Sequence, residues 1–419
     1  MISPTHQGDG APGIRLLFAA RVVRMFGYGF LAVVLVLYLA ALGLSEARIG
    51  LLLTLTLVGD TAISLWMTTQ ADRIGRRRML TLGALLVLGA GLVFVASDHF
   101  LVLLLAATIG VISPSGYEVG PFLAIEQAAL TQLVADERRT RVFAWYNLAG
   151  SLATAVGSLA GGGLAQLGQR WGMTPLASYR AVLVGYALVG LALALLFQWL
   201  GPAVEVRPAS SAHPVSTSRL GLHRSSGVVL RLAGLFSLDA FAGGFILQSF
   251  LAYWFHVRFG ADEAMLGVIF FGANLLAGLS ALSASAIAAR IGLIRTMVFT
   301  HLPSNVLLMT VPLMPNLTLA ILVLLARFSI SQMDVPTRQS YTMAIVSPEE
   351  RSAAAGITGT ARTVGASLSP MFAGLLLGSA SLMSGLFLVG GGLKIVYDLL
   401  LLNAFHHVRP PEEQATRRV

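Results

Sequence analysis

The sequence predicts an all-α membrane protein: twelve transmembrane helices in two pseudo-symmetric six-helix bundles. Three observations carry this reading. Of 419 residues, 56% are hydrophobic and only 11% are charged, whereas soluble proteins carry roughly 25% charged residues. The apolar residues fall into long runs of about 20, the length a helix needs to cross the hydrocarbon layer. A polar insert then divides those runs six and six. Barrel strands would instead alternate over about ten residues.

Taken in order, residues 1–14 are polar, contain Gly and Pro, and read as a cytoplasmic tail rather than a cleaved signal. Helices are expected near 15–43, 49–70, 79–97, 100–122, 141–166 and 177–200, which form the first bundle, residues 15–200. Residues 201–226 hold Pro202, Pro208, Pro214, several serines, Arg207, Arg219 and Arg224, and read as a cytoplasmic linker. Helices near 227–256, 264–288, 294–313, 317–337, 352–378 and 380–404 form the second bundle, residues 227–404, and residues 405–419 a cytoplasmic tail.

Orientation follows from the basic residues. With the N-terminus inside, cytoplasmic segments hold 19 of them and the opposite side four, namely Arg48, Arg170, Arg180 and Arg258. That asymmetry puts both termini in the cytoplasm and the chain in the cell inner (plasma) membrane. It also accounts for the net charge of +9 without nucleic acid.

Several chemistries are excluded. There is no cysteine, so disulfides and thiolate metal sites are absent. The eight histidines are scattered and show no metal-ligand spacing, so neither metal nor cofactor is expected. The single lysine, Lys394, lies between Leu393 and Ile395, which rules out the Gly-Lys-Ser/Thr end of a phosphate-binding loop.

The halves repeat. Arg73-Ile74-Gly75 recurs as Arg290-Ile291-Gly292, and in the same register Gly50 meets Gly267 and Arg78 meets Arg295. A second register pairs Gln127 with Gln339, Val134 with Val346, Glu137 with Glu349 and Arg139 with Arg351. Matches at equivalent places in two six-helix halves indicate a parallel duplication.

The segment Ala71-Asp72-Arg73-Ile74-Gly75-Arg76-Arg77-Arg78-Met79-Leu80 resembles the signature loop of the major facilitator superfamily. It departs from it at Thr68 and Gln70, where that family has Gly and Leu. The resemblance, to a bacterial, efflux-like member, implies transport by alternating access. It also implies a cytoplasmic gate at Asp72, Arg73, Gly75 and Arg76, repeated more weakly at Arg290 and Gly292, where Ala289 replaces the Asp. Asp72 would cap or pair with the start of a neighbouring helix.

The resemblance further implies that helices 1, 4, 7 and 10 line a cavity. Each carries one deep charge: Arg24, Glu118, Asp239 and Arg327. Intramembrane charges are costly and mark function by default. These four either bind substrate and carry a coupled proton or pair off as structural bridges. Arg24 is the anchor for an anion or a carboxylate. Glu118 and Asp239 are the proton carriers, because burial and a nearby arginine act oppositely on a carboxylate's proton. Asp60 is a further deep acid. Lys394 and Asp398, four apart, form either an internal pair or a titrating site. Asp334 and Arg338, also four apart, read as a structural pair, and Arg362 as a snorkelling side chain. Gly157 and Gly161 mark close helix packing.

The function expected is secondary active transport of a small organic molecule, proton-coupled and outward, by a monomer whose partners are substrate, protons and the lipid bilayer. The alternatives are proton-coupled uptake of an organic anion and a non-transporting receptor. No nucleophile–base pair or metal cluster suggests an enzyme.

Overall fold

The computed structural model describes residues 10–205, 225–347 and 350–408; within these the side chains at 10, 11, 136, 137, 140 and 352 are not described. Most of the expected linker and both outer tails therefore lie outside the described residues, as does Glu349, and the Glu137 side chain is not described.

The described residues hold sixteen α-helices and no strand. In the first half of the chain these are α1 (Gly10–Ala32), α2 (Leu35–Ala41), α3 (Glu46–Ile74), α4 (Arg76–Ala96), α5 (Phe100–Ile109), α6 (Phe122–Leu133), α7 (Asp136–Arg170) and α8 (Pro175–Gln198). In the second they are α9 (Ser226–Gly244), α10 (Gln248–Phe259), α11 (Glu263–Ile291), α12 (Leu293–Thr310), α13 (Leu317–Phe328), α14 (Asp334–Ala344), α15 (Arg351–Leu377) and α16 (Gly385–Phe405).

Eight segments are long and apolar enough to cross a membrane, and α1 with α2, bent by 40°, makes a ninth. The pairs α5/α6 and α13/α14 and the more polar α15 complete twelve spans. Four spans are broken: the first between α1 and α2, the fourth between α5 and α6, the seventh between α9 and α10, and the tenth between α13 and α14. The breaks recur every third span, so the duplication extends to where helices stop.

The fourth span shows why. Pro114 and Pro121 lack the N–H that would continue a helix, and Ser113 Oγ donates to the Tyr117 carbonyl at 2.7 Å within the break. The expected continuous helix 100–122 is therefore corrected: helix ends at Ile109 and resumes at Phe122, and Glu118 lies between. Likewise Arg327 lies in the last turn of α13 and Asp334 begins α14.

The chain forms two compact units, Met1–Ser210 with Gln248–Asn274, and Ser211–Leu247 with Leu275–Val419. In the first, α1 packs along α7 and α4 along α8; in the second, α9 packs along α15 and α12 along α16. These are the same pairs, six spans apart. Small residues permit the approach. Gly29 abuts the Thr154 carbonyl, Gly157 that of Phe26 and Gly161 that of Phe30, while Gly244 abuts Ser369 and the Ala366 carbonyl. Replacing Gly29 with Leu is expected to force α1 off α7 and lower the melting temperature in detergent, read by thermal unfolding. The second unit's core gathers Leu232, Phe236, Met297, Tyr341, Tyr397 and Phe405.

Candidate functional site

Each unit buries one cluster of ionised side chains beside a broken span. In the first unit, fully buried Arg24 on α1 donates from Nη1 and Nη2 to the two carboxylate oxygens of Glu126 on α6, both at 2.6 Å. Its Nε donates to Glu118 Oε1 at 2.8 Å. Arg21, one turn earlier on α1, pairs with Glu118 Oε2, and the Tyr146 hydroxyl on α7 donates to Glu126 Oε2. Arg24 also lies 4.7 Å from the Phe122 ring centroid. Two arginines balance two glutamates. The bidentate fork is the geometry a guanidinium and a carboxylate favour when buried. Glu118 is 14% exposed and is the open edge of the cluster.

In the second unit Asp239 on α9 is the hub. Lys394 Nζ on α16 donates to its Oδ1 at 2.6 Å. Arg362 Nη1 on α15 and Arg338 Nη1 on α14 donate to its Oδ2 at 3.0 and 3.3 Å. Arg338 also donates to Asp334 at 2.7 Å. On the far side, His301 Nδ1 on α12 lies 2.8 Å from Asp398 Oδ1, and its Nε2 lies 3.9 Å from Asp239 Oδ1. Asn305 Nδ2 donates to Asp398 Oδ2 at 3.0 Å. Arg362 is the open edge here, one-third exposed.

The two clusters are built on one plan with opposite sign. The register that pairs Gln127 with Gln339 pairs Glu126 with Arg338, and Thr154 with Ala366. Gly29 and Gly244 abut those last two residues, and five residues before each glycine stand Arg24 and Asp239. The buried pair joining spans 1 and 4 is therefore Arg24–Glu126, and its counterpart joining spans 7 and 10 is Asp239–Arg338, with the charges exchanged.

The structure thus joins Arg24 to Glu118, and Asp239 to Lys394. It does not join Lys394 to Asp398. Although four apart on α16, Lys394 turns toward α9, while Asp398 turns toward α12. Asp334 and Arg338 do bond to each other, but Arg338 also reaches the hub. Arg362 bonds to Asp239 rather than merely snorkelling. Asp60 on α3 is buried, faces the Gly120 backbone amide, and has one oxygen, Oδ1, without a hydrogen-bond partner. Arg327 is buried over the Phe328 ring, 4.6 Å from its centroid. Glu126, Arg21, Tyr146, His301 and Asn305 join the clusters through contacts between spans. Glu126 could have been found from the repeat, since it sits one residue before Gln127 and opposite Arg338.

The family model of the Major Facilitator Superfamily matches residues 17–333 and again 240–418. The chain belongs to the Major Facilitator Superfamily. It is a multi-pass membrane transporter and not an enzyme. An uncharacterized membrane protein of Saccharomyces cerevisiae is 31% identical over 94% of each chain. Among solved structures, the nucleoside transporter NupG is similar at 14% identity and a TM-score of 0.76, over 94% of this chain and 99% of that one. A D-xylose–proton symporter is similar at 15% identity and 0.67, over 93% and 96%. Those two likenesses concern the fold.

The superfamily's signature loop is also resolved into contacts. Gly75 and Gly292 hold φ of 115° and 90° between α3 and α4 and between α11 and α12, a conformation that L side chains rarely adopt. Arg76 Nε donates to Asp72 at 3.0 Å, and its Nη1 to Gln132 Oε1 and the Val204 carbonyl at 3.1 and 3.2 Å. Arg73 and Arg290 are exposed. The first turn of α4 is capped by Glu205, which accepts from the Arg76 and Arg77 amides at 2.7 and 3.2 Å. Glu205 sits just after the sixth span, so it ties the chain leaving the first half to the loop between spans 2 and 3. A carboxylate at a helix N-terminus is worth about 0.5–2 kcal/mol. Glu205→Ala is expected to lower stability by about that amount, with the shift read in thermal melts and Glu205→Asp falling between.

Proposed function

We propose that this transporter performs proton-coupled secondary transport of a small organic molecule, and that the proton resides on the Asp239 cluster. The supporting observation is that one buried carboxylate on a broken span holds three cations from three other helices, with a histidine–aspartate pair 3.9 Å away. Gain or loss of one proton at Asp239 changes which of those cations have a partner. It therefore changes how α9 is tied to α14, α15 and α16. An alternating-access carrier needs such a link between proton and helix packing. Arg24, which stays charged, holds the first unit's cluster together and serves as a fixed anchor, with Glu118 facing outward from it.

The 19-to-4 basic asymmetry supports both termini in the cytoplasm, and we take the cell inner membrane as the place of residence. We take the working unit as a monomer, because each buried cluster is complete within one chain. The gate reading of Asp72, Arg73, Gly75, Arg76, Arg290 and Gly292 rests on the Arg76–Asp72 bond and on the paired glycine conformations.

The test is proton movement in liposomes holding the purified protein, followed with a pH-sensitive dye while a chemically mixed solute panel is added. A compound that drives proton flux with the wild type, and not with Asp239→Asn, supports the reading. Solutes that equilibrate without any proton movement overturn it.

A further inference from the structure

We propose that the Asp239 cluster is itself the binding site for the substrate's charged group, and that this group is a carboxylate. The inference rests on the proton-coupled reading above and adds the substrate class. It starts from the charges that face the hub. Asp334 and Arg338 come from α14, Arg362 from α15, Lys394 and Asp398 from α16, and His301 from α12. Apart from His301, three aspartates balance three cations. The cluster is closed on itself only while Asp239 is ionised.

A proton on Asp239 leaves the cluster with one uncompensated positive charge in a buried place. An unpaired buried charge is strongly unfavourable, so the protonated cluster gains most from a monoanion. Position selects the same ligand. Lys394 and Arg362 bond to opposite oxygens of Asp239, so a second carboxylate can take over both donors as they are released. A phosphate dianion would overcompensate the single charge. Arg362 is the cluster's exposed edge, one-third open. Intramembrane arginines face the bundle interior or a water-filled cavity rather than lipid, and Arg362 is more open than Lys394 or Arg338, so an arriving anion meets Arg362 first. In the first unit the exposed edge is an acid, Glu118, which makes the second unit the anion site. Proton and carboxylate then bind together and travel together, which makes the carrier a symporter of organic monoanions.

The test measures binding in detergent at pH 5.5 and 7.5 and counts protons in weakly buffered solution. The probes are acetate, benzoate, inorganic phosphate and tetraphenylphosphonium. The expected result is that a monocarboxylate binds with uptake of about one proton and binds more tightly at the lower pH. Asp239→Asn should bind it with no proton uptake and little pH dependence. Arg362→Gln, at the cluster's one-third-exposed edge, should weaken it at least about tenfold in protein whose thermal melt shows it folded. Carboxylate binding without proton uptake in the wild type, binding of the cation alone, or no carboxylate binding overturns the proposal. Proton flux driven by a cation in the liposome experiment would sink this inference while leaving proton coupling intact.

Discussion

Arg24→Ala is expected to be the most destabilising single substitution in the first unit, costing about 3–5 kcal/mol. The substitution strands Glu126, which is completely buried and loses both of its 2.6 Å bonds. Only the Tyr146 hydroxyl would remain on it. Arg24→Lys should recover little, because an ammonium cannot span both glutamates. The paired change Arg24→Met with Glu126→Met should recover most of the loss. It removes both partners together and leaves Arg21 on Glu118, so the cluster stays neutral. Thermal unfolding in detergent of wild type, Arg24→Met, Glu126→Met and the paired variant forms a double-mutant cycle. If Arg24→Ala melts within a degree or two of wild type, the bidentate pair does not hold α1 to α6.

The counterpart in the second unit has a second large effect. Asp239→Ala leaves Lys394, Arg338 and Arg362 around an empty hub, with Asp334 bonded to Arg338 and Asp398 turned to His301. A loss of about 3–5 kcal/mol is expected. Asp239→Asn with Lys394→Met should restore much of it, since one acid and one cation leave together. That double variant should nevertheless fail to accumulate solute against a gradient. Stability and coupling therefore separate, and a purely structural hub would restore both.

Much of this could be read from residues alone. The six-and-six layout and the paired Arg-Ile-Gly loops were legible because lipid forces long apolar runs and because the duplication left matching loops. Arg24, Glu118, Asp239 and Lys394 were legible because charge is rare in such runs. The partners were not. Lys394 and Asp398 share a helix face, so spacing favours an internal bond, but the contacts offered by α9 and α12 decide otherwise. Glu126 was obscured because the break at Pro114 and Pro121 moves the fourth span's second helix to Phe122–Leu133. His301 gave no signal, since its partner Asp398 is 97 residues away. The reversed polarity of the two clusters was present in the repeat register, but it became visible only once the glycine contacts fixed how spans 1 and 7 align.

The most direct measurement compares solute exchange with solute accumulation for Asp239→Asn in the same vesicles, using a radiolabelled substrate once the panel has identified one. Asparagine mimics the protonated acid but cannot release a proton. Exchange between equal concentrations on the two sides should persist, and accumulation driven by a proton gradient should fall to the passive level. Accumulation that survives the substitution would show that Asp239 carries no coupled proton and would contradict the account.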